Sequence, residues 1–157
     1  MRNSLPGLSL FILLTVGASA AGAAEQGFDR HARGMTALNT ITGDGAGKMV
    51  ESLRDIAPEL AEWVTDFAYG DVVSRPQLPL TTRELATVAA LTALGNAQPQ
   101  LKAHIKGALN AGCSPREVVE VIMQMAVYAG FPAAINGILA AKDVFAERGI
   151  KVEPTPR

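Results

Sequence analysis

The spacing of apolar residues along the chain predicts α-helices. In segment 28–38, apolar side chains recur every three or four positions, which places them on one face of a helix. The sequence contains no runs of alternating β-branched residues joined by Asn-Gly turns, the pattern typical of hairpins. The predicted fold is therefore all-α, a single domain of about six helices.

Glycines and prolines set the expected helix boundaries. The glycine-rich segment 42–47 predicts a turn followed by a short helix, and Pro58 suits the first turn of another helix that is expected to end at Gly70. Two prolines predict a loop over 72–80. The remaining helices are predicted over Thr81–Leu94, Pro99–Gly112, Pro115–Ala129 and Pro132–Arg148.

Two segments have the sequence of a capping box, in which a Ser or Thr and a Glu three residues later satisfy each other's backbone donors. One is Ser114 with Glu117, and the other is Thr81 with Glu84. Each predicts a helix N-terminus.

The helix over 118–129 is apolar on nearly every face. Such a helix is expected to be buried all round, either at the centre of the domain or in a subunit interface. Glu120 interrupts it, so its carboxylate should be paired or exposed, with Arg83 or His104 as conceivable partners.

The N-terminus has the pattern of an export signal. Arg2 precedes the apolar run Leu8–Val16, which is too short to span a bilayer, and small residues follow. Cleavage is expected near Ala20 to Ala24, with an uncleaved amphipathic anchor as the alternative. The predicted organisation is a signal peptide over 1–24, a helical domain over 25–150 and a flexible tail over 151–157. The protein is then periplasmic or secreted, without a stable membrane span after cleavage.

Composition excludes several classes of function. The 157 residues carry a formal net charge of −1, which gives no electrostatic basis for binding nucleic acid. The single cysteine excludes an intrachain disulfide, a CxxC redox pair and a multi-cysteine zinc site. Two histidines also disfavour a dedicated metal site.

The order of several motifs makes the sequence recognisable. It closely resembles the carboxymuconolactone decarboxylase family, especially its γ-carboxymuconolactone decarboxylase branch, over about residues 34–146. The resemblance rests on the segments Tyr69–Leu78, Leu80–Gly95, His104–Gly112, Ser114–Glu120 and Tyr128–Pro132. It implies a helical protomer that assembles into a homo-oligomer, a trimer or hexamer. It also implies a decarboxylase of a small carboxylated lactone in aromatic-compound catabolism.

Sulfur content separates the branches of this family. The branch that resembles alkylhydroperoxidase D has a CxxC pair just before the histidine matched by His104, whereas segment 95–100 has no cysteine. Dithiol peroxide reduction needs both thiols. The decarboxylase branch is therefore favoured. Two alternatives remain open: a thiol-dependent peroxidase that uses Cys113, and a non-catalytic oligomeric binding protein.

Two positions depart from the family pattern. Tyr69 and Val73 stand where the decarboxylase branch usually has tryptophans. If these side chains line the pocket, its shape differs, and so does the preferred substrate. Tyr69 is thus a candidate substrate-binding residue.

The decarboxylation that the resemblance implies requires particular chemical groups in the active site. Loss of CO2 from 4-carboxymuconolactone leaves an electron pair that delocalises through a C=C bond onto the lactone carbonyl, so no cofactor is needed. The enzyme needs a cation for carboxylates, a donor for the developing oxyanion and an acid to protonate carbon.

Two residues are the candidates for acid–base chemistry. His104 lies at the edge of an apolar helical stripe and is the candidate acid or oxyanion donor; the alternative is a histidine at the core edge bonded to a carbonyl. Glu84 matches a family position near the active site and is the second candidate. Its alternative role is the capping box with Thr81.

The other candidates bind substrate. Arg75 and Arg83 are candidate carboxylate anchors, because a guanidinium can bind a carboxylate through two hydrogen bonds; a solvated loop arginine is the alternative for Arg75. Tyr128 is a candidate hydroxyl donor, with packing at the helix end as the alternative. His31 belongs to no motif and is expected at the surface.

Overall fold

A computed structural model describes residues 19–153, with the side chains of 19–28, 44 and 46 left out. These residues form seven α-helices and no strand, which confirms the predicted all-α class with one helix more than expected. The predicted signal-peptide core over 8–16 and the end of the predicted tail, 154–157, lie outside the described residues. The elements are α1 Ser19–Thr42, a 3₁₀ turn Gly43–Gly45, α2 Ala46–Glu51, α3 Pro58–Glu62, a π-helix Trp63–Val73, α4 Leu80–Leu94, α5 Gln98–Ala111, α6 Pro115–Tyr128 and α7 Phe131–Glu147.

Two apolar clusters make up the core. Helices α4 to α7 enclose the larger cluster, and α1, α2, α3 and the π-helix enclose the smaller one. Helix α1 packs along the π-helix and also against α5, so it joins the two clusters. The most deeply buried members of the larger cluster are Val88, Ile105, Ala108, Val118, Ile122 and Val144, and those of the smaller are Leu38, Ile41 and Ala61.

The crossing of α1 with the π-helix depends on two glycines. A Cβ at Gly34 would overlap the carbonyl oxygen of Thr65, and a Cβ at Gly70 would lie 2.5 Å from the carbonyl oxygen of Arg30. The two backbones therefore approach more closely than side chains would allow. At this seam, the contact between α1 and the π-helix, Nδ1 of His31 lies 2.6 Å from Oδ1 of Asp66.

The glycine at position 70 does not end its helix, so that prediction is wrong. Its φ is not positive, and the helix continues as a π-helix to Val73, with a hydrogen bond from the Ser74 N–H to the Tyr69 carbonyl of 2.9 Å. The predicted loop over 72–80 is correspondingly reduced to 74–79, because Leu80 begins α4. The glycines predicted to end α4 and α5 do so, with φ of 72° at Gly95 and 105° at Gly112.

Only one of the two predicted capping boxes forms. At α6 the Glu117 N–H donates to the Ser114 hydroxyl at 3.2 Å, and the Ser114 N–H donates to the Glu117 carboxylate at 2.7 Å. Hydrogen bonds from the Ser114 backbone and hydroxyl lower the pKa of Glu117. At α4 the capping box is wrong: Pro79 is the N-cap residue, no side chain caps the helix, and Glu84 points into the protein.

Helix α6 does not lie at the centre of the protomer, so the first of its two expected positions is wrong, and the second, a subunit interface, stays a prediction. Met123 is 51% exposed and Val127 is 77% exposed. Glu120 was expected to be either paired or exposed, and its side chain is exposed. Among the described residues, no helix combines the length and hydrophobicity needed to cross a bilayer.

Candidate active site

A carboxylate and an imidazole meet between α4 and α5. Glu84 projects from α4 and is only 2% exposed, and its Oε2 lies 3.0 Å from Nδ1 of His104 on α5. The absence of a side chain at Gly107 makes room for this carboxylate, because a Cβ there would lie 2.7 Å from the same Oε2. Both sequence candidates for acid–base chemistry are therefore in direct contact.

The pair leaves one imidazole nitrogen available. A buried carboxylate needs a hydrogen-bonded partner, and His104 supplies it through Nδ1. The His104 side chain is 25% exposed, and its Nε2 makes no hydrogen bond within residues 19–153. Glu84 thus fixes the orientation of the ring, and Nε2 is free to exchange a proton with a bound molecule.

Tyr69 joins this pair from the π-helix. It is 8% exposed, and burial together with the negative charge of Glu84 raises its pKa to about 12. The phenol therefore stays protonated over the whole physiological range and is a neutral hydrogen-bond donor.

Arg75 lies in a cavity of about 550 Å³ between α1 and the loop 74–79. Its guanidinium has no hydrogen bond or ion pair in the described part of the chain. Arg83 reaches the same loop, where its Nη2 donates to the Arg75 carbonyl at 3.0 Å, while its buried Nε has no partner. Arg83 therefore holds the loop that carries Arg75.

The cavity is linked to the imidazole pair through Leu80 and Tyr69. Neither Glu84 nor His104 lines the cavity. Leu80 lines the cavity and packs against the apolar cluster that contains Tyr69, and the charge of Glu84 in turn acts on Tyr69. The structure thus brings three of the predicted site residues together, and Arg75 lies in the neighbouring cavity that Leu80 links to Tyr69. Tyr128 lies at the end of α6 and is 76% exposed, so it does not pack within the protomer, and its role as a hydroxyl donor stays a prediction.

The motif order and this geometry agree with the comparison to known proteins. The model of the carboxymuconolactone decarboxylase family matches residues 58–143, the segment that contains Tyr69, Glu84 and His104. The chain belongs to this family. The match extends from α3 to α7, whereas the cavity also uses α1, which precedes it.

Curated members of the carboxymuconolactone decarboxylase family support a decarboxylase role. The chain is 34% identical to 4-carboxymuconolactone decarboxylase of Acinetobacter baylyi over 79% of its own length and 92% of that protein. It is 32% identical to nitrosuccinic acid decarboxylase of Metarhizium robertsii over 62% of its own length and 70% of that protein. An uncharacterized 15.0 kDa protein of Paracoccus denitrificans is also 32% identical, over 62% of this chain and 74% of its own.

The cysteine of this carboxymuconolactone decarboxylase family member lacks the environment of a reactive thiol. Cys113 is buried, with its Sγ 3.5 Å from the carbonyl oxygen of Thr81. Burial, with smaller contributions from the charges of Glu117 and Glu84, raises its pKa. Because the thiolate is the nucleophile, this position disfavours peroxide chemistry at Cys113. No group of three or more potential metal ligands occurs among the described residues.

Three residues of the site region were not singled out from the sequence. Gly107 lies inside the motif that begins at His104, but its role depends on a carboxylate from another helix. Arg33 and Asp29 lie four residues apart on α1, form an ion pair and line the cavity. Their spacing predicts the pair, but nothing in the sequence places it opposite Arg75.

The state of Tyr69 can be measured directly. In a Tyr128→Phe variant Tyr69 is the only tyrosine left, so the ultraviolet signal of tyrosinate reports on it alone. We expect no tyrosinate at pH 10 and a midpoint near pH 12, because the buried phenolate is disfavoured. Since the pKa is higher in the folded state than the ordinary value of 10.0, stability is retained below pH 10 and lost between pH 10 and about 12. A midpoint near 10 with intact helical circular dichroism would contradict the burial.

Proposed function

We propose that this protein is a cofactor-independent decarboxylase of small carboxylated substrates of the 4-carboxymuconolactone type, with His104 as the acid. The observation that supports this most is the contact between buried Glu84 and His104, which leaves Nε2 of the imidazole unoccupied. A fixed imidazole with one accessible nitrogen suits proton delivery to a carbanion.

The named relatives point to one class of substrate. 4-Carboxymuconolactone carries its departing carboxylate on a ring carbon next to a C=C bond that is conjugated with the lactone carbonyl, and nitrosuccinic acid carries one on the carbon that bears the nitro group. In both compounds the electrons left by CO2 delocalise within the substrate itself. A member of this class needs no cofactor as electron sink.

The proposed reaction has two steps. The bond between the ring carbon and the carboxylate breaks, CO2 leaves, and the electron pair moves through the C=C bond onto the lactone oxygen. The Nε2–H of imidazolium His104 then gives its proton to carbon, while Nδ1–H stays hydrogen-bonded to Glu84. A proton from water restores the imidazolium. Glu84 does not reach the substrate in this scheme, and it acts as a positioning residue.

The remaining candidate residues are proposed to stabilise the negative charges of the substrate and of the lactone oxyanion. The unpaired guanidinium of Arg75 is proposed to anchor a carboxylate, and Arg83 supports the Arg75 loop through its carbonyl. Tyr69 is proposed as the neutral donor for the lactone oxyanion, because its proton is retained at the pH of the reaction. Tyr128 has no role in this scheme.

We also propose that the protein is exported and acts as a homo-oligomer. The export proposal rests on the sequence of the N-terminal segment alone. A continuous apolar surface on α6 and α7 supports self-association, since monomers rarely expose such surfaces. Its exposed members are Met123, Val127, Phe131, Ile135 and Leu139.

The function is tested by incubating the purified protein with 4-carboxymuconolactone or nitrosuccinic acid and no added cofactor. We expect release of CO2 and loss of substrate absorbance in at least one case, and the same rate in the presence of a metal chelator. Thermal stabilisation by both compounds without turnover of either would contradict the proposal and favour the binding-protein alternative.

A further inference from the structure

The cavity beside α1 has two chemically different walls. One face of α1 and the loop 74–79 supply the charged and hydroxyl groups, and apolar side chains supply the floor. Its volume of about 550 Å³ lies within the range of sites for small organic molecules. The polar members are Asp29, Arg33, Thr36, Thr40, Ser74 and Arg75, and the apolar floor includes Ala37, Val73 and Leu80.

The charges of this cavity are not balanced. Arg33 is paired with Asp29, one turn earlier on α1, whereas the guanidinium of Arg75 has no partner within residues 19–153. The charges of Asp29, Arg33 and Arg75 therefore sum to one positive charge, in a cavity whose floor is apolar. A planar, five-donor guanidinium binds a carboxylate through paired hydrogen bonds, and the small apolar floor of this cavity suits an organic acid.

We propose that this cavity binds a small molecule with a compact apolar body and at least one carboxylate, which is held between Arg33 and Arg75. The proposal shares the anchoring role of Arg75 with the proposed function, but it requires no reaction in the cavity. Asp29 competes with the ligand for Arg33, because both are carboxylates directed at the same guanidinium. The hydroxyl groups of Thr36 and Thr40 also line the α1 wall, but each already donates to a backbone carbonyl of α1 at 2.9 Å, so they can only accept a hydrogen bond from the ligand.

This arrangement makes an unusual prediction for Asp29. If Arg33 served only to pair with Asp29 on the surface of α1, removing Asp29 would not improve ligand binding. If they hold a carboxylate, Asp29→Asn removes the competing charge and frees Arg33. Substitution of Asp29 is therefore expected to tighten binding, whereas substitution of either arginine weakens it.

Calorimetric titration with muconolactone tests the proposal. This lactone has one carboxylate and lacks the carboxyl group that decarboxylation would remove, so binding is measured without turnover. We expect Arg33→Gln and Arg75→Gln each to weaken binding at least tenfold, and Asp29→Asn to tighten it about threefold. Arg54→Gln is the matched control, because Arg54 is also an exposed arginine in an ion pair, with Glu51, but lies outside the cavity. Its affinity should stay within twofold of wild type.

The outcomes separate this proposal from the proposed function. Equal affinity for muconolactone in wild type, Arg33→Gln and Arg75→Gln would overturn the cavity proposal, even if the protein decarboxylates 4-carboxymuconolactone. No measurable binding by wild type at millimolar muconolactone would overturn it too. Arginine-dependent binding in a protein without decarboxylase activity would support the cavity and refute the proposed reaction. Circular dichroism of each variant confirms that a change in affinity is not a loss of fold.

Discussion

Replacement of His104 by glutamine is expected to lower kcat for decarboxylation of 4-carboxymuconolactone by about 10² to 10⁴-fold, the usual contribution of a positioned acid. Glutamine cannot deliver a proton to carbon, but its amide can still donate to the buried Glu84 carboxylate, as Nδ1 of His104 does. The change therefore removes the acid and retains the hydrogen bond. Steady-state kinetics of the wild type and of the His104→Gln variant, measured side by side, give the two values of kcat.

The chain contains its own matched control. His31 is also bonded to a carboxylate, that of Asp66 at 2.6 Å, but it is an exposed residue of the seam between α1 and the π-helix. His31→Gln should leave kcat within about twofold of wild type. Alanine at 104 is a poorer choice, because an unpaired buried carboxylate costs about 3 to 5 kcal/mol of stability. Full activity in a folded His104→Gln protein would remove His104 from the mechanism.

The fold class and most helix ends could be predicted because they depend on local chemistry. Gly95 and Gly112 adopt positive φ at the ends of α4 and α5, a conformation that glycine accepts without steric cost. The position of His104 followed from helical periodicity, which placed it at the edge of an apolar stripe, and it is in fact partly exposed. Local pattern was sufficient for each of these.

The two capping-box sequences show where local pattern fails. Both have a hydroxyl residue and a glutamate three positions later, but only Ser114 and Glu117 bond to each other. At the other segment the helix begins earlier, after Pro79, and the glutamate lies opposite Gly107 of α5. A space on a neighbouring helix decides the role of Glu84, and no spacing within its own helix encodes that space.

The substrate-anchoring part of the site was equally hard to predict. The motif around Arg75 makes it a candidate, but the side chains that line the cavity with it come from α1, more than thirty residues earlier in the sequence. From the sequence, Arg33 and Asp29 form an ordinary i,i+4 ion pair on a helix. Only the structure shows that they line a cavity together with the loop 74–79. Such sites depend on how segments pack, and single-sequence patterns carry little of that information.

Replacement of Gly34 by alanine is expected to destabilise the fold by about 3 kcal/mol, the upper part of the usual range for overpacking. The new Cβ would overlap the carbonyl oxygen of Thr65, and this backbone atom cannot rotate away as a side chain can. The gain of about 1 kcal/mol that alanine brings to a helix interior offsets only part of this cost. Because α1 also carries Arg33 and packs against α5, separation of α1 from the π-helix also disturbs the cavity.

Thermal unfolding followed by circular dichroism measures the effect, with an expected fall in Tm of roughly 10 °C for a chain of this size. Gly47→Ala is the control, since Gly47 is a helical glycine of α2 with no atom within 4 Å of a Cβ built there. It should leave Tm unchanged or raise it slightly, because there only the helix propensity changes. An equal and small effect of both substitutions would show that α1 and the π-helix do not pack backbone to backbone. In that case α1 could not form a fixed wall of the cavity that contains Arg75.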